Sequence, residues 1–397
     1  MRTNPTELPP PIKPGLIPTS RNAAIDWLRL ARSRRVGPTT FLRLLRQFGS
    51  VAAALDALPE IAAEAGERRY AINSRDTAEA ELAAGEAEGA TLLCLGAGNY
   101  PAALWDLSDP PPVLWAKGNT TLLLRPSVAL VGARNASAVG RRMAMRLARD
   151  LGELGYIVVS GLARGIDAAA HEAALPTGTI AVQAGGIDVV YPKETTELTA
   201  EIGHRGLRLS EMPMGLHPQA RHFPQRNRII SGLARAVIVV EGAAKSGSMI
   251  TARAALDQGR EVMAVPGHPM DARAAGCNNL IRDGAVLIRN GEDVHDALQG
   301  QITPPVRAPE LPFPPQEAPK AAIADPAPAR PGAGTPQAGG DLPARILALL
   351  GTTPIAEDII IRETAASPPE VMAVLAEMDL RGQIDRQPGG MVTRGAA

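Results

Sequence analysis

The sequence predicts a doubly wound α/β domain over its central half. Three observations carry that expectation. Short apolar runs alternate with helix-patterned stretches between residues 127 and 288. Apolar runs free of polar alternation read as parallel strands buried on both faces. Several of the runs end in a glycine-bearing loop that opens the next helix, as the strand-end loops of such a sheet do.

The elements follow in order. Strands are expected at 128–131, 156–160, 179–183, 207–210, 236–240, 261–265 and 285–288, and helices at 137–154, 167–175 and 248–258. The run AVIVV at 236–240 is the strongest strand. Ahead of the sheet, 91–115 reads as a connecting segment, with turns at Tyr100-Pro101 and at 109–112 and a short strand at 113–116. Within 21–66, Ile25, Leu28, Leu30 and Ala31, then Phe41, Leu42, Leu44, Leu45 and Phe48, recur at helical spacing. The break at Val36-Gly37-Pro38-Thr39 divides two helices, with Thr39 or Thr40 as N-cap. This is the pattern of a SAM-like or helix-hairpin-helix-like module over 21–90. Residues 1–20 are Pro-rich and read as a disordered leader, and 300–340, dominated by Pro, Ala and Gly, as a linker. Residues 341–397 carry helical patterns at 344–350, 356–363 and 368–378, then two strands around Pro388-Gly389-Gly390. That order is winged-helix-like.

Composition bounds the function. A chain of 397 residues accommodates two or three domains. With 45% hydrophobic but 3% aromatic residues, its core must be aliphatic. Zero net charge excludes a uniformly basic DNA coat, yet between His204 and Arg282 eleven Lys and Arg residues stand against five acids. Seven arginines within 21–50 stand against Asp26 alone, which fits a phosphate-contacting surface or a solvated polar face. The third C-terminal helix carries Glu370 and Glu377 and no Lys or Arg, favouring a protein-interaction module over a reader of the major groove. Cys94 and Cys277 sit in no metal spacing and read as free thiols. No apolar h-region and no run of about 18 apolar residues is present, so a soluble cytoplasmic protein with no membrane partner is expected.

The loops carry the chemistry. After the first strand, Gly132 permits close backbone approach, Arg134 adds a guanidinium, and the helix opening after Ser137 offers N–H groups to an anion. This loop is not GxGxxG. After the second strand, Asp167 is an N-cap candidate and His171 follows one turn later; a cap plus a helix-surface histidine outweighs a catalytic pair, because no nucleophile motif accompanies them. Tyr191, in GGIDVVYP, suits either stacking on a base or packing. In HFPQRNRIISG, Phe223 stands beside Arg226, Asn227 and Arg228, the ring-plus-cation combination that single-strand binding uses; the competing role is a core phenylalanine with arginines paired to Glu211 and Glu241. Lys245, Ser246, Gly247 and Ser248 follow the strongest strand and form another anion cradle, without the GxxxxGK[ST] order of a Walker A loop. His268 and Cys277 lack companion metal ligands. No cofactor site is indicated.

The segments VALVGARNASAVG, VSGLARGIDAAAHEAAL, GGIDVVYP, FPQRNRIISGL, VVEGAAKSGSMITARAALDQGREVMAVPG and GCNNLIRDGA, in this order, resemble the DprA/Smf (DNA-processing protein A) family. The resemblance implies an extended Rossmann-like fold that binds single-stranded DNA without marked sequence preference. It further implies a non-enzymatic recombination mediator that protects incoming DNA in natural transformation, helps load RecA, and dimerises through this domain. Family contacts to DNA fall on Arg134, Phe223, Ser246, Gly247 and Ser248; Lys245 and Arg226 are added from charge and position. Ala133 stands where the family often has Ser or Thr, and Gln183-Ala184-Gly185-Gly186-Ile187-Asp188 where it reads LGxGxD. The alternative is a nucleotide-hydrolysing enzyme of a related Rossmann-like fold, with Asp167, Asp188 and Glu241 as acids; the PGGxGTxxE motif of such phosphoribohydrolases is absent.

Overall fold

The computed structural model describes residues 17–66, 69–299, 342–350 and, with gaps, 355–394. The leader up to residue 16, the linker at 300–340 and the turn at Pro388-Gly389-Gly390 lie outside the described residues. The chain divides into two units, Met1–Pro309 and Glu310–Ala397.

The first unit opens with four helices, α1 (Arg21–Arg32), α2 (Pro38–Phe48), α3 (Val51–Glu64) and α4 (Arg75–Ala87). Ser20 caps α1 by accepting from the Ala23 N–H. The expected Thr caps of α2 are not used. Gly37 is the cap position and Pro38 starts the helix, because a residue with fixed φ and no N–H suits the first turn. Trp27 donates its indole N–H to the Pro112 carbonyl at 2.9 Å, and Trp115 donates to Glu81 at 3.0 Å. These two buried bonds tie the helices to the sheet that follows.

That sheet has nine strands: β1 (Thr91–Cys94), β2 (Val113–Gly118), β3 (Ser127–Gly132), β4 (Ile157–Ser160), β5 (Thr179–Gln183), β6 (Leu207–Ser210), β7 (Ala236–Glu241), β8 (Glu261–Ala264) and β9 (Val286–Leu287). Their order is β1-β2-β6-β5-β4-β3-β7-β8-β9. The seven strands from β3 to β9 pair in parallel, whereas β1 with β2 and β2 with β6 pair antiparallel. The sheet is therefore mixed, and β1 replaces part of the expected connection because Leu93 and Cys94 are buried when it pairs with β2.

Helices α5 (Ala138–Glu153), α6 (Ile166–Ala174), α7 (Thr196–Arg205), α8 (His222–Leu233), α9 (Gly247–Asp257), α10 (Ala275–Arg282) and α11 (Gly291–Gln299) cover both faces. Strand β3 shows how: Val128 and Leu130 enter the layer containing Leu147 and Ala170, while Ala129 and Val131 enter the layer containing Ile229 and Ala252. This period-two division is what a strand buried on both faces requires. From β3 the chain proceeds one way through β4, β5 and β6 and the other way through β7, β8 and β9. The carboxyl ends of β3 and β7 thus flank a topological switch point, where open α/β sheets bind ligands.

The second unit contains α12 (Leu342–Leu349), β10 (Ile355–Ala356), α13 (Glu357–Thr364), helical turns between 370 and 378, β11 (Ile384–Gln387) and β12 (Met391–Arg394). Its strands pair antiparallel in the order β10-β12-β11, over a core that includes Ile346, Ile360, Val371, Leu375 and Val392. This is the winged-helix arrangement. Strand β10 was not expected, since two residues carry no periodicity. Among the described residues no helix is long and apolar enough to cross a membrane.

Candidate nucleic-acid interface

Two adjoining cavities, about 790 and about 630 Å³, form a groove over the carboxyl ends of the central strands. Both are lined by Arg134, Tyr191, Phe223 and Arg226. The larger also takes in Gly132, Asn227 and Ser246 to Ser248, and the smaller Arg164 and Lys193.

Phe223 is half-buried at the start of α8. The Arg134 guanidinium lies 4.8 Å from its ring centroid, and the Tyr191 ring packs against it at 5.9 Å with a 54° tilt. Tyr191 is 48% exposed, so its ring packs on Phe223 and still offers a face to solvent. Arg134 is exposed, and no acid pairs with it among the described residues. An exposed cation over an aromatic ring, next to a second ring, matches what a nucleic-acid backbone and an unstacked base each require.

The neighbouring Arg226 has a different position. It is 5% exposed and donates through one terminal nitrogen to the Gly161 carbonyl at 2.5 Å and the Val182 carbonyl at 2.7 Å. Burial lowers its pKa to about 10, offset in part by Asp167. A Cβ at position 161 would lie 2.0 Å from this guanidinium, so Gly161 makes the room for it. Arg226 is thus a fixed charge in the groove floor that joins the ends of β4 and β5. Asn227 is also buried, beside it. Arg228 is paired with Glu211 at 2.6 Å and Asp109 at 3.2 Å, the structural role set against binding for that residue.

Asp167 is not an N-cap. It lies inside α6, whose cap is Gly165, and its carboxylate accepts from the Gly161 and Ala163 N–H groups at 3.2 and 3.4 Å. Burial raises its pKa, while Arg226 pulls it back. His171 is not on the helix surface. It is fully buried with Nδ1 2.6 Å from the Thr179 hydroxyl, and burial lowers its pKa to about 3. Both residues share the buried face of α6 with Ala170 and Ala174.

The N-terminus of α5 is not free for an anion. Glu241, at the end of the adjacent strand β7, accepts from the Ser137 N–H at 3.0 Å and from its hydroxyl at 2.6 Å. Ser137 itself caps Gly140. Space around Gly132 is likewise filled, since a Cβ there would lie 2.6 Å from Ile166 and 2.8 Å from the Glu241 carbonyl. By contrast, Ser246 at the cap position of α9 makes no side-chain capping bond, and Ser246, Gly247 and Ser248 line the groove. Lys245 is exposed beside this loop and does not line the groove. Three lining cations escaped the sequence reading: Arg164, Lys193 and Arg273. Arg273 reaches Asp271 at 3.0 Å and Glu241 at 3.8 Å, and Arg164 reaches Glu194 at 3.4 Å. Lys193 directly follows the Tyr191-Pro192 pair, the available signal for it.

The profile of DNA recombination-mediator protein A matches residues 91–299, more than half of the chain. The chain belongs to that family. Profiles for a DprA-like N-terminal HHH domain and a DprA winged helix domain match residues 21–84 and 318–390. The DNA processing protein DprA of Bacillus subtilis is 44% identical over 220 residues, 55% of this chain and 74% of that protein. Protein Smf of Escherichia coli is 36% identical over 296 residues, 74% of each chain. The crystal structure of DprA from Streptococcus pneumoniae superposes with a TM-score of 0.59 at 36% identity, covering 68% of this chain and 97% of that one. A structure of the Helicobacter pylori protein, described for its single-stranded DNA binding mode, superposes at 0.50 with 33% identity, covering 53% and 96%.

Proposed function

We propose that the groove binds single-stranded DNA and that the chain acts in the cytoplasm as a recombination mediator. In this role it protects incoming strands and helps load RecA, working as a homodimer. The observation that carries the reading is the packed trio of Arg134, Phe223 and Tyr191 in the groove. A base can lie on an aromatic face only when it is unstacked from its neighbours, which favours single strands over duplex. Phosphates then meet Arg134 and the uncapped start of α9, where N–H groups and the positive helix end favour anions. Family membership and the single-stranded DNA binding of the Helicobacter pylori relative support the same ligand.

The nucleotide-hydrolysing alternative needs a free carboxylate in the groove. Asp167, Asp188 and Glu241 each accept from backbone N–H groups, of Gly161, Gly215 and Ser137 respectively. These acids hold loops, which favours binding over turnover.

The test is a fluorescence-anisotropy titration of the full chain with single strands, duplex and mononucleotides across salt. Single strands are expected to bind tightest, with log K falling against log salt by about 0.7 for each phosphate contacted. Arg134→Ala is expected to weaken binding while the protein stays folded. Equal affinity for duplex, unchanged affinity in Arg134→Ala, or release of base from nucleoside monophosphates would contradict the reading.

A further inference from the structure

A third cavity, of about 610 Å³, lies away from the groove, between α2 and the segment that precedes β2. Its polar lining consists of Thr39, Arg43, Arg46, Gln47, Trp105 and Ser108, and no acid lines it. The arginines of the helical domain divide sharply. Arg21, Arg29 and Arg32 pair with Glu86, Asp26 and Glu81. Arg43 and Arg46, one turn apart on the exposed side of α2, have no acidic partner among the described residues. A third donor points the same way. The indole N–H of Trp105 is buried with no hydrogen-bond acceptor. A buried N–H without a partner is costly, and a protein retains one chiefly where a ligand or water supplies the acceptor.

Arg43, Arg46 and Trp105 line one cavity, and no carboxylate belongs to that lining. We infer that this cavity holds phosphates of a single strand that extends beyond the groove, making it an auxiliary DNA contact on the helical domain. The inference rests on the groove being the primary single-strand site. Helix α8 links the two places. Phe223 stands at its start, and at its far end Gly232 packs against Leu104 and Leu107, beside Trp105. Nine residues at 1.5 Å each separate Phe223 from Gly232 by about 14 Å along the helix. At about 3.4 Å or more per nucleotide, a strand of three nucleotides seated in the groove falls short of the cavity, whereas a longer one reaches it.

The experiment uses the full chain and fluorescein-labelled oligothymidylates of about 3 and about 25 nucleotides, lengths below and above the usual span of a single-strand site. In Arg43→Ala/Arg46→Ala, long-strand affinity is expected to fall about tenfold at low salt, with a salt slope shallower by about 1.4, and short-strand affinity to stay within about twofold. Trp105→Phe keeps the ring and removes the N–H, and is expected to cost a smaller, long-strand-specific loss of about threefold. Unchanged long-strand affinity and slope in the double variant, or equal losses for both lengths, would overturn the inference. So would a polyglutamate peptide that quenches Trp105 fluorescence while the long strand does not, since the cavity would then be a site for acidic peptide. Failure of the groove reading has a separate signature, namely Arg134→Ala leaving both lengths bound as tightly as before.

Discussion

Helices α5 and α9 follow adjacent central strands, β3 and β7, at the same carboxyl end of the sheet, yet their N-termini are built for opposite purposes. At α5 the anion is internal: Glu241 takes the Ser137 N–H and hydroxyl, and Ser137 caps the first turn. At α9 no side chain caps the helix, and its first residues line the groove. Both junctions read from sequence as a strand, a small-residue loop and a serine. The difference lies in Glu241, whose carboxylate sits on the neighbouring helix end and leaves its own loop open. A helix N-terminus at a switch point is therefore a ligand site only when no carboxylate of the protein reaches it first.

Removing the internal anion should have the largest effect. Glu241→Ala deprives the part-buried Ser137 N–H and hydroxyl of their shared charged acceptor and is expected to lower unfolding free energy by about 3 kcal/mol, measured by urea denaturation. If stability holds and DNA affinity rises instead, the α5 end is also a phosphate site.

Phe223→Ala should act on the other side of the comparison. Loss of a stacked base is expected to weaken single-strand binding by about 1–3 kcal/mol in anisotropy titrations, with little change in duplex affinity. Equal losses for both ligands would reduce Phe223 to a packing residue.

His171 offers a stability control that leaves the groove surface intact. Its folded pKa of about 3 lies below the value of 6.5 expected when unfolded, because burial disfavours the charged form. The unfolded chain therefore takes up the proton first. The stability contribution is complete above pH 6.5 and is lost as pH falls toward 3. Between pH 7 and 5 the loss is expected to be about 2 kcal/mol, and His171→Gln should flatten that slope.

The smallest effect expected is from Ser137→Ala. Loss of the cap should cost about 1 kcal/mol of stability and leave DNA affinity unchanged.

The sheet was legible because its strands are extreme. Every residue of 236–240 is apolar, and all are buried in β7. Strand β1 was not, because four residues carry too short a pattern to stand out until they pair with β2. Helix α8 was read as a binding loop, since its sequence includes Pro, Asn and Gly. Pro224 is tolerated because the first turn needs no N–H from it. Missing that helix misplaced Arg226. It shares the spacing i, i+3, i+4 and i+7 with Ile229, Ile230 and Leu233, and all four are buried. The helix carrying His171 is legible but its inward face is not: His171 shares the buried face of α6 with Asp167, Ala170 and Ala174. Arg134 and Phe223 were legible as a pair of types. Their contact was not, because it joins a loop and a helix start about 90 residues apart in the chain, a contact that local periodicity does not encode.

The open start of α9 can be tested by giving it the anion that α5 already has. A Cβ at Gly247 meets nothing within 4 Å, so Gly247→Glu introduces a carboxylate there without a clash. Negative charge in a first turn also favours the helix. Single-strand affinity, measured by anisotropy at low salt, is expected to fall at least about tenfold, with an unfolding midpoint equal to or above that of the parent chain. Undiminished affinity in this folded variant would contradict the assignment of the α9 end as the phosphate site.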